Sequence, residues 1–208
     1  MKCNVVCIQT YPKMNQKEEN ISHMETLLRK AMESHPDTQL IVFPELAVTG
    51  YQCGENFKDL AETATIDSTS IKKMSALAKE FHVHIVYGMA EKEEDILYNS
   101  QFFLDDTGVL LGTYRKVHLF DSEKNYFTPG DQFKVFNTRI GRIGLFICYD
   151  AFFPEATRSF DPLGKILASI DDEKDGIIHA SLDYDIAKQM KHDYYTMLTE
   201  RRPDIYIA

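Results

Sequence analysis

The chain has 208 residues and a net charge of −9, with 32 acidic against 23 basic side chains and no basic block. That length suits a single domain, 1–208, able to bury roughly 70% of its unfolded surface, and that charge excludes nucleic acid and anionic membrane as main partners, leaving a small molecule or another protein. The four cysteines, Cys3, Cys7, Cys53 and Cys148, show no C-x-x-C spacing, which speaks against structural zinc and, in a chain expected to be cytoplasmic, against a disulfide framework.

Met1 to Ile8 carries one basic residue and an apolar run too short for a signal peptide, and it leads into a strand over Asn4 to Thr10. Asn15 to Ser34 places Ile21, Met24, Leu27, Leu28 and Ala31 at the three-and-four spacing of an amphipathic helix. Leu40 to Phe43 is a continuous apolar strand stopped by Pro44-Glu45. Ser68 to Phe81 is a second helix with Met74, Leu77 and Ala78 inward, and Val83 to Met89 is the next strand. Strands apolar on both faces that alternate with helices predict covered sheets of the α/β class. Asn99 to Leu104, the turn Asp105-Asp106-Thr107-Gly108 and Val109 to Tyr114 predict a hairpin, so the sheet is mixed. No stretch is long and apolar enough to span a bilayer.

Three chemically able side chains fall at strand ends. Glu45 follows Ile41-Val42-Phe43-Pro44, and Lys116 follows Gly112-Thr113-Tyr114-Arg115. Cys148 ends Gly144-Leu145-Phe146-Ile147, which reads as a buried strand passing into a helix opened by Pro154-Glu155. Singly, each has a structural reading: a surface turn, a solvated hairpin foot, a small buried hydrophobe. Ligand chemistry in α/β sheets gathers outside the carboxyl ends of strands, where the three would converge as base, cation and thiol. A strand-to-helix junction would also favour a thiolate at Cys148 through backbone N–H groups and the helix dipole.

Phe43-Pro44-Glu45-Leu46 with Thr49-Gly50-Tyr51, Tyr114-Arg115-Lys116-Val117-His118-Leu119, Phe127-Thr128-Pro129-Gly130-Asp131, and Cys148-Tyr149-Asp150 with Phe153-Pro154-Glu155 resemble, in order and separation, the nitrilase superfamily of carbon–nitrogen hydrolases. The resemblance implies an αββα sandwich and a Glu45–Lys116–Cys148 triad that hydrolyses small amides, N-carbamoyl compounds or nitriles through a cysteine thioester. No metal or organic cofactor is implied. Lys116 and the backbone N–H of Tyr149 would face the developing oxyanion, so Lys116→Ala should nearly silence turnover while leaving the fold intact. The Cys148-Tyr149-Asp150 and Phe153-Pro154-Glu155 signature looks more like amidase and carbamoylase branches than nitrile hydrolysers. A homodimer or higher homo-oligomer is also implied, with a tail like Arg201 to Tyr206 reaching across the contact.

Several residues keep two readings. Glu123, in Ser122-Glu123-Lys124-Asn125, resembles a second family glutamate that orients the lysine or the substrate, or it is a solvated loop carboxylate. His118 shares a strand face with Lys116 and is either a packed histidine or the partner of Cys148 in a dyad. Tyr51, Tyr149 and Phe153 wall a substrate pocket or simply pack. His82 and His84 share a face but lack a third metal ligand, and Cys3 and Cys7 are expected in the core. Past Arg158 the pattern departs from the family. Asp161-Pro162-Leu163-Gly164 breaks the expected helix, and Lys165 to Ile170, Gly176 to Leu182 and a short helix from Asp183 to Lys191 follow directly. A strand-helix-strand unit of about 30 residues or more is missing near Ser159. A truncated, inactive family member serving as a binding or assembly subunit is therefore the alternative to an enzyme.

Overall fold

The computed structural model describes residues 2–153, 175–183 and 185. In chain order the strands are β1 (Lys2–Gln9), β2 (Leu40–Val42), β3 (His84–Glu93), β4 (Ile96–Leu104), β5 (Leu110–Arg115), β6 (Val135–Thr138), β7 (Gly141–Gly144) and β8 (Gly176–Asp183). The helices are α1 (Lys17–Ser34), α2 (Phe57–Leu60) and α3 (Thr69–Phe81). A six-stranded sheet has the order β5-β4-β3-β2-β1-β8, and β6 pairs with β7 in a second sheet. β1, β2 and β3 run parallel, while β4, β5 and β8 join antiparallel to their neighbours.

Each face of the large sheet is buried by a different layer, as the two-sided apolar strands require. On one face Ile21, Met24, Leu28 and Ala31 of α1 and Ile71, Met74 and Leu77 of α3 share a core with Val6, Ile8, Ile41 and Ile85. On the other, Cys3, Val5, Leu40 and Phe103 pack with Ile140 and with Phe136 and Ile143 of the second sheet. Helix layer, mixed sheet and second sheet are stacked as in an α/β protein of the αββα type. The helix expected after Pro154, the strand Lys165 to Ile170, nearly all of the short helix to Lys191 and the tail Arg201 to Tyr206 lie outside the described residues. Asp183, expected to open that helix, instead closes β8, which pairs along the whole of β1.

Several expectations need correction. Helix α1 begins two residues later than its pattern, because Asn15 has φ +63° and cannot continue a right-handed helix. His82 is not a strand residue: it closes α3 at φ +51°, so it shares no strand face with His84. Strands β3 and β4 are longer than predicted because they form a hairpin of their own, turning at Glu94 with φ +54°. Cys3 is buried, but Cys7 on the same face of β1 is exposed, since the two-stranded layer covers only Cys3 and Val5 of that row. The apolar run before Cys148 is not one strand. β7 ends at Gly144, and Leu145, Phe146 and Ile147 continue past the sheet into a short 3-10 helix, Cys148–Phe152.

Candidate active site

Sheet direction brings the polar residues to one end. β2, β3 and β5 point the same way, because two antiparallel steps separate β3 from β5, and their carboxyl ends lie together. Glu45 follows β2 and Lys116 follows β5. β4 runs the other way, so its start reaches that same end and carries Asn99 there, opposite Ala90. Two glycines allow close approach. A Cβ at Gly88 would lie 2.5 Å from Pro44 O and 2.7 Å from Glu45 Cα, and would also meet Leu46 N. The turn bearing Glu45 therefore rests directly on the β3 backbone, with Gly88 N donating to Pro44 O at 3.2 Å and Val48 N to Gly88 O at 3.2 Å. Gly130 likewise lets the Phe127 to Asp131 loop lie on Arg115, and its N–H donates to Lys116 O at 2.8 Å.

The Lys116 ammonium is buried between two carboxylates. Its Nζ donates to Glu45 Oε1 at 2.6 Å and to Glu123 at 3.0 and 2.8 Å. Asn99 Nδ2 bridges the same pair, at 2.6 Å to Glu45 and 2.8 Å to Glu123. Glu123 also reaches back from its 3-10 helix to the Phe120 N–H at 2.7 Å. It is buried, so the solvated-carboxylate reading is discarded. Burial pulls the Lys116 value down, but the two carboxylates outweigh it and hold the ammonium above its ordinary range. Burial pushes Glu45 up despite the hydrogen bond and charge of Lys116 and the hydrogen bond of Asn99, and the charge of Glu123 adds to the rise. One cation shared by two acids leaves one negative charge over, and Glu45 is poised to accept a proton.

Cys148 meets this cluster from the other sheet. Its thiol lies close enough to Glu45 for that carboxylate's charge to act on it. The residue is exposed overall, yet the thiol value is pushed up, by desolvation first and then by the charge of Glu45, with Lys116 pulling the other way. Desolvation and the Glu45 carboxylate thus work against the expected thiolate, while the helix that Pro154-Glu155 was expected to open lies outside the described residues. Cys148 has φ +42°, a left-handed backbone that a non-glycine residue adopts at a cost of about 1–3 kcal/mol.

The remaining candidates surround these groups. Tyr51 stands near Glu123, and its hydroxyl is raised above the usual phenol range by desolvation and by the charges of Glu123, Glu45 and Cys148. A cleft of about 190 Å³ opens here between Tyr51, Gly54, Phe57, Glu123, Tyr126 and Phe127. Tyr149 and Phe153 lie edge to face at 5.3 Å, and Phe120 flanks Tyr149 at 5.0 Å. His118 does not supply a dyad: its Nδ1 pairs with Asp150 at 2.8 Å and its ring stacks on Phe153 at 3.6 Å. Sequence reasoning missed two residues. Asn99 had one available signal, a polar run Asn99-Ser100-Gln101 opening an otherwise apolar strand, and a buried polar group needs a partner. Asp150 was quoted only as part of a motif, yet it is fully buried.

Comparison with known proteins bears on the family and the fold. The carbon-nitrogen hydrolase family matches residues 4–160. A probable nitrilase of Schizosaccharomyces pombe is 35% identical over 267 aligned residues, covering 99% of this chain and 98% of that relative. The N-carbamoylputrescine amidase of Arabidopsis thaliana is 37% identical over 147 residues, or 67% of this chain, which spans only 48% of that enzyme's length. In fold, the carbon-nitrogen hydrolase of Helicobacter pylori G27 superposes with a TM-score of 0.85 at 24% identity, covering 99% of this chain and 97% of the other. This chain is a hydrolase that belongs to the carbon-nitrogen hydrolase family.

Proposed function

We propose that the protein hydrolyses the C–N bond of a small amide or N-carbamoyl compound, with nitriles as the less favoured substrate, through a thioester on Cys148. The observation that carries this reading is the shared position of Glu45, whose carboxylate receives the Lys116 ammonium at 2.6 Å and lies close enough to the Cys148 thiol for its charge to act on it. In this reading the Cys148 sulfur attacks the carbonyl carbon as its proton passes to Glu45, and Lys116 and the Tyr149 N–H donate to the oxyanion. Glu45 returns the proton to the departing nitrogen. It then takes a proton from water as the water attacks the thioester, and the acid leaves as the sulfur regains a proton. Glu123 and Asn99 hold Lys116 and Glu45 in place, and Tyr51, Tyr149 and Phe153 wall the substrate. We place the protein in the cytoplasm, where its free thiols would persist, as a homodimer or higher homo-oligomer.

The deciding experiment is ammonia release against a panel of small amides, carbamoyl compounds and nitriles, beside a Cys148→Ala control. Release by the wild type and none by the control is the expected result; release by both removes Cys148 from the mechanism. Gly88→Ala provides a structural companion. The added methyl displaces the Glu45 turn, so turnover is expected to fall about 10²-fold and stability by about 1–3 kcal/mol, read as ammonia release and a thermal melt. Unchanged turnover would show that Glu45 does not need that seat.

A second reading, an inactive binding or assembly subunit, rests on one observation. The 35% match spans 267 aligned residues against 208 in this chain, so at least 59 positions of the relative face no residue here. The family match also ends at residue 160, beside the proposed gap at Ser159 in the single 1–208 domain. The mass of the intact purified protein decides whether residues are absent. Failure to release ammonia from any panel member would favour the inactive reading.

A further inference from the structure

We propose that Asp150 is a positioning residue that locks the Cys148 turn to both flanks of Lys116; the proposal rests on Cys148 acting as the nucleophile. Asp150 is fully buried and accepts four hydrogen bonds, two on each oxygen. Oδ2 takes the Ile147 N–H at 3.0 Å and the Tyr114 hydroxyl at 2.7 Å. Oδ1 takes the His118 N–H at 2.8 Å and faces His118 Nδ1 at 2.8 Å.

The partners explain what the carboxylate does. Ile147 immediately precedes Cys148, while Tyr114 and His118 stand two residues before and two after Lys116. One side chain therefore ties the nucleophile's turn, which follows β7, to the segment that carries the cation, which follows β5 of the other sheet. Its own N–H returns to Ile147 O at 3.0 Å, closing the turn in which Cys148 holds φ +42°. A strained residue of this kind persists only where its surroundings over-determine it. His118 completes the clamp by stacking on Phe153, just beyond the short helix.

Asp150→Asn tests this with little change of shape. Each oxygen holds one backbone N–H, which cannot turn round, so whichever way the amide lies its NH₂ opposes either Ile147 or His118. Tyr114→Phe is the graded comparison, since it removes one bond and leaves both backbone N–H groups satisfied. The full-length proteins are compared by kcat and KM for ammonia release, by the pH profile of Cys148 alkylation with iodoacetamide, and by melting temperature. Asp150→Asn is expected to lower kcat by about 10²-fold with KM within about threefold. Its alkylation profile moves toward that of an ordinary thiol, because the sulfur leaves Glu45. Tyr114→Phe shifts both in the same direction by less, and it carries the test if Asp150→Asn does not fold. Alkylation and turnover like wild type well below the melting temperature would overturn the proposal. If the wild type releases no ammonia at all, the hydrolytic reading fails, and the alkylation profile still decides the role of Asp150.

Discussion

Lys116→Ala is expected to silence turnover and also to destabilise the fold. The ammonium is fully buried between carboxylates whose side chains are 15% and 4% exposed. Removing it leaves Glu45 and Glu123 facing one another, joined only through Asn99. Breaking a buried pair by deleting one partner costs about 3–5 kcal/mol, which lowers the melting temperature of a chain this size by about 6–20 °C. The sequence-based expectation of an intact fold is thus corrected: it treated Lys116 as an oxyanion donor and missed its role as a structural counter-ion. Turnover should fall by about 10²–10³ or more. The sign with pH follows from linkage. In the variant the two acids share a proton, so their folded-state value rises above the unfolded one, the folded form binds more protons, and stability is lost as pH rises through that window. The melting deficit against wild type should therefore shrink from about pH 7 to about pH 5. A variant that melts and turns over like wild type would remove Lys116 from both roles.

Glu45→Gln should move two measurements of Cys148 in opposite directions. Desolvation raises the thiol value most, Glu45 raises it further through its charge, and Lys116 lowers it. Replacing the carboxylate by an amide removes the raising neighbour and keeps the ammonium, which Glu123 still holds. Alkylation of Cys148 near neutral pH should then become faster, with its profile shifted to lower pH. Ammonia release should fall by about 10²–10⁴, since no base remains to take the thiol proton during attack or to activate water. In the wild type the rate should rise with pH as Glu45 ionises, and that limb lies above the ordinary carboxylate range because Glu45 is raised. Slower alkylation in Glu45→Gln would mean that the carboxylate already holds the thiol deprotonated at rest, and the coupled proton transfer would be wrong.

Helix periodicity in α1 and α3 was legible because an amphipathic face is a local property: Ile21, Met24, Leu28 and Ala31 recur at the spacing that buries one stripe, and they are buried. The family motifs around Glu45, Lys116 and Cys148 were legible for the same reason, as short runs with recognisable order. What failed locally was chain direction over a few residues. Asn15, His82, Glu94 and Cys148 all adopt positive φ; Asn and His are enriched in that conformation but adopt it only occasionally, and Glu94 and Cys148 carried no such signal, so where these elements would stop was not legible.

Taken alone, the amino-acid sequence determined the α/β class, the alternation of elements, the motif residues and the family to which they belong. Only the tertiary structure decided which groups share a charge. That Lys116 serves two carboxylates, that Asn99 bridges them, that burial holds Glu45 up and burial with the charge of Glu45 holds Cys148 up, and that Asp150 joins Ile147 to Tyr114 and His118 all depend on strand directions and on how two sheets stack. Hydrogen bonds and electrostatic shifts act over a few ångströms between residues such as Glu45 and Lys116, 71 positions apart. Residue spacing along the chain carries no record of such distances until the sheet order is set.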